Sequence, residues 1–282
     1  WDEPFFDTSF SCSSYDNCHV PWGNRHEGTL HAVKDNGFIS GQYVWTGFDY
    51  IGEPTPYGWP ARSSYFGIVD LAGFPKDIYY MYQSEWNTDK TVLHLFPHWN
   101  WIPGQEIDLW AYYNHADEVE LFVNGQSQGT RSKGKNNFHV AWRVKFEPGT
   151  IKAISRMNGK VVAEKSIHTA GEPAQIRLTP DRCTIQADGR DLSFVTVEIM
   201  DKEGNLCPNA ENDVIFTLEG SGFIAGVDNG SPISMEKFKD NHRKAFYGKC
   251  LVVVQNNGEH GDIELTATAE GLKAAVTKIE AR

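Results

Sequence analysis

The rhythm of apolar and polar positions changes twice along these 282 residues. Residues 1–24 hold Pro, Ser, Asp and aromatics without a period and read as loop. Residues 25–35, RHEGTLHAVKD, read as a short helix, with Asn24 placed to cap its start and Asn36-Gly37 to stop it. The next run, 38–45, is apolar or small on both faces, the pattern of a parallel strand buried on both sides. A loop follows, then the apolar stretch 64–71. From Pro75 to about Trp86 comes a second helix, whose Ile78, Tyr82 and Trp86 recur at i, i+4 and i+8. These elements make one α/β unit without partner strands. A (β/α)8 barrel takes about 250 residues, and residues 1–87 supply only its final portion. The chain is therefore expected to be the C-terminal part of a longer polypeptide, or to be completed by another chain.

From Thr88 onward the period is two. Strands are predicted at 91–96, 106–113, 119–123, 138–146, 151–156 and 160–167, with Asn124-Gly125 and Asn158-Gly159 between strands as type I′ hairpin turns. Short strands with tight turns predict an immunoglobulin-like sandwich over 88–171. Gly171-Glu172-Pro173 reads as a linker to a second sandwich over 172–282. There one strand carries Phe194, Val195, Val197 and Ile199, and others run at 214–218, 249–255, 263–269 and 274–279. The expected fold class is thus multidomain: an incomplete (β/α)8-barrel C-terminal segment followed by two all-β immunoglobulin-like sandwiches. Asp201, Glu203 and Asn205 alternate as calcium-loop ligands do, but the distant Glu that completes such a loop is absent, and a solvated hairpin is the better reading.

Composition narrows the function classes. Lys plus Arg number 26 against 37 Asp plus Glu, a formal net charge of -11, and no long basic block occurs. Nucleic acid and anionic membranes are therefore not expected partners, and no apolar run approaches the ~20 residues of a membrane-spanning helix. The first residue is Trp1 rather than Met, so the visible start is not expected to be the biological one. The five cysteines lack CxxC spacing and define neither a zinc site nor a disulfide framework; Cys12 and Cys18 either bridge within a loop or stay free. His94 and His98 are separated by Pro97, which prevents a helix from presenting them together. No metal and no organic cofactor are expected.

The candidate chemistry lies in the stretch 38–57, FISGQYVWTGFDYIGEPTPY, which leads into a loop holding Trp45, Asp49 and Glu53. If the strand continues, Trp45, Gly47 and Asp49 share one face. An aromatic plane and a carboxylate then converge as in a sugar site, the ring against the apolar face of a pyranose and the carboxylate accepting from its hydroxyls. The same residue types equally fit a buried Trp with a turn-capping Asp. Trp99, Trp101 and Trp110 admit a sugar platform, though such residues more often pack an interface.

YVWTGFDYIGEPTPY at 43–57, WPARSSYFGIVDLAGFPKD at 59–77 and LHLFPHWNW at 93–101 resemble glycoside hydrolase family 2 β-galactosidases with appended C-terminal sandwiches. ELFVNGQSQG at 120–129 and DLSFVTVEIMDKEGNLCP at 191–208 resemble the two modules that follow the barrel in that subgroup. The resemblance runs from about Ser14 to the end. It implies a retaining exo-glycosidase acting on terminal β-galactosyl residues of oligosaccharides, with a Glu nucleophile and a Glu acid/base about 5–5.5 Å apart. Glu3 and Glu27 lack the family's surroundings for either, so both catalytic residues are expected upstream of Trp1 and the chain alone is expected to be inactive. Its partner would be the N-terminal remainder of the enzyme. By the same resemblance Trp45 and Asp49 line the terminal-sugar subsite, and Arg62, Tyr65 and Phe66 match the segment that selects the sugar. Similar glucuronidases carry Asn-x-Lys just before the position of Gly67, where this chain has Ser64, Tyr65 and Phe66. The missing cation implies a neutral sugar, while Arg62 leaves an anionic one open. A β-glucuronidase or β-mannosidase of the same family, or non-catalytic carbohydrate-binding modules, are the alternatives. Members with these modules are usually periplasmic or secreted, and that is the expected localisation.

Overall fold

The computed structural model describes residues 9–17, 19–20 and 22–282. Two compact units divide the chain, Trp1–Thr169 and Ala170–Arg282.

The first unit opens with helix α1, His26–Asp35, and helix α2, Asp77–Trp86. Asn24 is not the cap of α1. The two carboxylate oxygens of Asp16 accept the His26 and Glu27 backbone N–H groups at 3.0 and 2.7 Å, whereas Asn24 reaches only the adjacent Arg25 N–H. The strand expected at 38–45 is absent: that stretch is irregular chain, and residues 46–52 make only isolated bridges, Phe48 to Val69 and Ile51 to Ser63. A parallel strand exists only beside a neighbour, and among the described residues none lies there. The incomplete barrel is accordingly not visible in residues 9–87 as such.

Seven strands follow: β1 Leu93–Phe96, β2 Glu106–Tyr113, β3 Glu118–Val123, β4 Gln126–Arg131, β5 His139–Lys145, β6 Thr150–Met157 and β7 Lys160–His168. They form a three-stranded sheet β1-β2-β5 and a four-stranded sheet β4-β3-β6-β7, all antiparallel. Asn124 (φ 49) with Gly125 (φ 80) and Asn158 (φ 51) with Gly159 (φ 74) supply the two consecutive positive φ values of type I′ turns. Leu95, Trp99, Leu109, Leu121, Trp142 and Ile151 form one core. Alternate residues of the three-stranded sheet, Phe96, Trp110 and Tyr112, pack with Leu30 and Met81 of the helices in another. Trp99 and Trp110 are therefore buried and form no sugar platform; the Trp110 ring stacks on His139 at 3.6 Å, and Trp101 stacks on His98.

The second unit contains β8 Gln175–Pro180, β9 Thr184–Ile185, β10 Leu192–Met200, β11 Asp213–Gly220, β12 Gly222–Asp228, β13 His242–Lys244, β14 Lys249–Asn256, β15 Gly261–Thr268 and β16 Ala275–Ala281. Its sheets run β12-β14-β10-β8 and β13-β11-β15-β16-β9, with only the β16–β9 pair parallel. Val195, Val197, Ile199, Phe216, Val252, Val254, Ile263 and Leu265 contribute to a single core. The turn after β10 is organised by N–H donors. The buried Asp201 carboxylate accepts from the backbone of Gly171 (2.9 Å), Glu203 (3.0 Å) and Asn205 (2.8 Å) and from the Asn205 side chain (2.9 Å). Burial pushes this carboxyl up, but the hydrogen bonds from Asn205, Gly171 and Glu203 outweigh it and hold Asp201 below the ordinary carboxylate range. Asp201→Ala leaves these donors unanswered and is expected to lower the stability of the second unit by about 3 kcal/mol, read as a fall in its urea midpoint, with no response to calcium before or after the change.

Candidate functional site

The segments 46–52 and 62–69 are laced together by their backbones. Thr46 N–H donates to Phe66 O, Ile68 N–H to Thr46 O, Val69 N–H to Gly47 O, Asp49 N–H to Val69 O, Ser64 N–H to Tyr50 O and Gly52 N–H to Arg62 O, all between 2.8 and 3.2 Å. Gly67 makes the approach possible, because a Cβ there would stand 2.2 Å from the Asp49 nitrogen. All five residues expected in a sugar subsite thus lie on or beside two adjoining segments.

Their side chains diverge. Trp45 is 73% exposed, and its indole N–H donates to the Tyr50 hydroxyl at 3.2 Å, the two rings standing edge to face. Tyr50 in turn donates to Glu53. Asp49 points the other way: it is buried, accepts the Gly67 N–H at 2.8 Å and the Ser64 hydroxyl at 3.4 Å, and pairs with the Lys76 ammonium at 2.6 Å. The alternation argument that put Trp45 and Asp49 on one face fails because the chain here is not a strand. Burial pushes the Asp49 carboxyl above its ordinary value, against the lowering pull of Lys76, Gly67 and Ser64.

Tyr65 is half-buried. Its hydroxyl donates to the Phe10 carbonyl at 2.8 Å, its ring packs on Tyr57 at 4.7 Å, and burial pushes its phenol up. Arg62 and Phe66 are partly exposed and contribute their carbonyls to the lacing. Sequence reasoning missed Lys76, which is 27 positions from its partner and carries no spacing signal, and it noticed Glu53 without giving it a role. Glu27, considered above as an acidic candidate, is buried; it lies 2.5 Å from His139 Nδ1 and accepts the Phe138 N–H. Glu3 and Cys18 lie outside the described residues.

In the second unit Asp213, Glu236 and His242 bring ligand atoms within 4.8 Å of one another. Asp213 hydrogen-bonds His242 Nδ1 at 3.0 Å and raises its pKa, while Glu236 accepts from Lys244 N–H and the Ser234 hydroxyl, so each member of the group already has a protein partner.

Residues 176–278 match glycoside hydrolase family 2 C-terminal domain 5, and 104–163 match a domain of unknown function, DUF4982. The class so defined is glycoside hydrolase family 2, to whose C-terminal region the chain belongs. Among curated relatives, it is 74% identical over 281 residues to the β-galactosidase BoGH2A of Bacteroides ovatus, covering 100% of this chain and 33% of that protein. A putative β-glucuronidase of Formosa agariphila is 38% identical over 274 residues, covering 94% of this chain and 26% of that protein. Among solved structures, a β-glycosidase from Bacteroides vulgatus superposes with a TM-score of 0.91 at 34% identity, over 97% of this chain and 35% of that one. The chain spans about a third or less of the length of these curated relatives.

Lys76→Met strands a buried carboxylate and is expected to cost on the order of 3 kcal/mol, seen as a lower thermal midpoint of the first unit that partly recovers as pH falls and Asp49, already pushed up by burial, takes up a proton. Asp70, which accepts the Phe74 N–H at 2.8 Å, is pushed up by burial to about 6 from an ordinary 3.8. Between those values the folded chain holds a proton that the unfolded chain releases. This contribution to stability is therefore full below about pH 4 and is lost as pH rises through 6. Thermal melts of Asp70→Asn between pH 4 and 8 should show a higher midpoint at pH 7 and a flatter decline with pH.

Proposed function

We propose that the chain is the C-terminal portion of a retaining, exo-acting β-galactosidase. In this reading residues 9–87 close a (β/α)8 catalytic barrel, and Trp45, with Arg62, Tyr65 and Phe66 around it, lines the subsite for the terminal galactosyl residue of an oligosaccharide. Asp49 belongs to the same subsite as the group that holds its wall. The observation that carries the reading is the 74% identity to a β-galactosidase along the whole chain. The exposed Trp45 indole supports it, since a free aromatic plane is what the apolar face of a pyranose stacks on.

Two glutamates of the preceding polypeptide supply the chemistry. One attacks the anomeric carbon and forms a glycosyl-enzyme; the other protonates the departing oxygen and then activates water. Glu27 is tied to His139 and the Phe138 N–H and is not available for either role. The preceding polypeptide also covers Phe38, Tyr43, Phe48 and Ile51, which here stand more than half exposed in one stretch of chain. A neutral sugar is favoured because the Lys76 ammonium is already neutralised by Asp49. Arg62 and the relative named as a putative β-glucuronidase sustain the second reading, an enzyme for an anionic sugar. The net charge of -11 and the absence, among the described residues, of a helix long and apolar enough to cross a membrane support neither nucleic acid nor a membrane as partner. The proposed localisation is periplasmic or secreted.

A panel of aryl β-galactoside, β-glucuronide and β-mannoside presented to the full-length enzyme is expected to show turnover of the galactoside; a preference for the glucuronide establishes the second reading instead. In the same enzyme Trp45→Ala is expected to lower kcat/KM roughly 10- to 100-fold with an unchanged thermal midpoint.

A further inference from the structure

Four tryptophans stand largely exposed among the described residues: Trp22, Trp45, Trp59 and Trp86. Of these, Trp45 is the one whose indole N–H is held by a side chain. The hold is a series of three groups. Trp45 Nε1–H donates to Tyr50 Oη at 3.2 Å, and Tyr50 Oη–H donates to a Glu53 carboxylate oxygen. Its direction is forced by chemistry, because an indole only donates, an ionised carboxylate only accepts, and the phenol between them does both. The hydrogen bond from Tyr50 to Glu53 raises the phenol's pKa, so the hydroxyl stays a donor across the neutral range. The middle member is itself anchored. Tyr50 N–H donates to the Ser64 hydroxyl at 3.0 Å, and the Ser64 N–H donates back to the Tyr50 carbonyl at 2.8 Å, with Ser64 fully buried.

We propose that Tyr50 and Glu53 are positioning residues that fix the plane of the Trp45 ring before a sugar arrives. An indole that is 73% exposed and otherwise unheld samples several orientations, and a sugar binding to it must first stop that motion. The relay removes that requirement from one edge of the ring and leaves the face free to stack. Glu53 acts through Tyr50 and carries no reacting atom. The inference rests on the assignment of Trp45 to the terminal-sugar subsite.

The test is a double-mutant cycle in the full-length enzyme, using the aryl glycoside that the panel above identifies as substrate. Tyr50→Phe and Glu53→Ala are expected to raise KM about fivefold with kcat within about twofold. Glu53→Gln, whose amide oxygen still accepts from Tyr50, is expected to restore KM to within about twofold of the parent enzyme. In a Trp45→Ala background, Tyr50→Phe is expected to have no further effect. Unchanged KM in both Tyr50→Phe and Glu53→Ala, or a Tyr50→Phe effect that persists without the indole, overturns the proposal. If Trp45→Ala itself leaves kcat/KM unchanged, the subsite assignment fails first, and the relay has no ring to position.

Discussion

Asp49 turns its carboxylate into the protein, and the geometry of the Trp45 loop depends on what meets it there. An ionised carboxylate removed from water loses several kcal/mol of hydration, which is offset only when every strong acceptor direction is answered. Lys76 supplies the charge, Gly67 a backbone N–H and Ser64 a hydroxyl. Each of these comes from the segment 64–76, so satisfying one buried group draws two otherwise irregular stretches of chain together. Gly67 then has to lack a side chain, because the same contraction brings backbone to within 2.2 Å of where its Cβ would be. With the carboxylate inside, the aromatic ring four residues earlier is left outside. The two residue types that suggest one ligand-facing surface instead divide the work between anchoring the loop and presenting a plane.

The three-stranded sheet extends that dependence to the rest of the first unit. Along β2, Ile107, Leu109, Ala111 and Tyr113 belong to the sandwich core, while Trp110 and Tyr112 belong to the core shared with α1 and α2. A strand buried on both faces cannot be relieved of either neighbour without exposing large aromatic area, so residues 9–87 and the sandwich form a single compact unit rather than two joined by a linker. Glu27 ties the layers further by reaching from α1 to the start of β5.

Most of the β architecture was legible because its causes are local. β3 and β6 alternate buried and half-buried positions along nearly their whole length, and the Asn-Gly turns place their own φ values. β4 escaped notice for the converse reason: QSQGTR is exposed at every position and is a strand only because β3 lies beside it. The run 38–45 misled in the opposite sense, since its apolar texture was real but no strand adjoins it among the described residues. At the site, Trp45 and its loop were conspicuous by residue type. The partnership of Asp49 with Lys76 and the capping of α1 by Asp16 were not, because pairing at separations of 27 and 10 residues leaves no period for a sequence to display.

The exposed aromatics of the same loop sharpen what sets Trp45 apart. Phe38, Tyr43 and Phe48 are as open as Trp45 or nearly so, and the two phenylalanine rings carry no polar atom by which a side chain could hold their edge. Rings destined to be covered by more polypeptide need no tether, because close packing on all sides holds them as it holds any core residue. A ring that has to remain open until a sugar arrives lacks those neighbours and can be steadied only from its edge. The indole is suited to this, since its polar N–H lies on the rim and its π-face is left unoccupied. A held N–H alone does not mark such a position, since the buried Trp99 and Trp142 also donate theirs, to backbone carbonyls; what sets Trp45 apart is that its ring is exposed and its N–H is held by a relay of side chains, Tyr50 and Glu53.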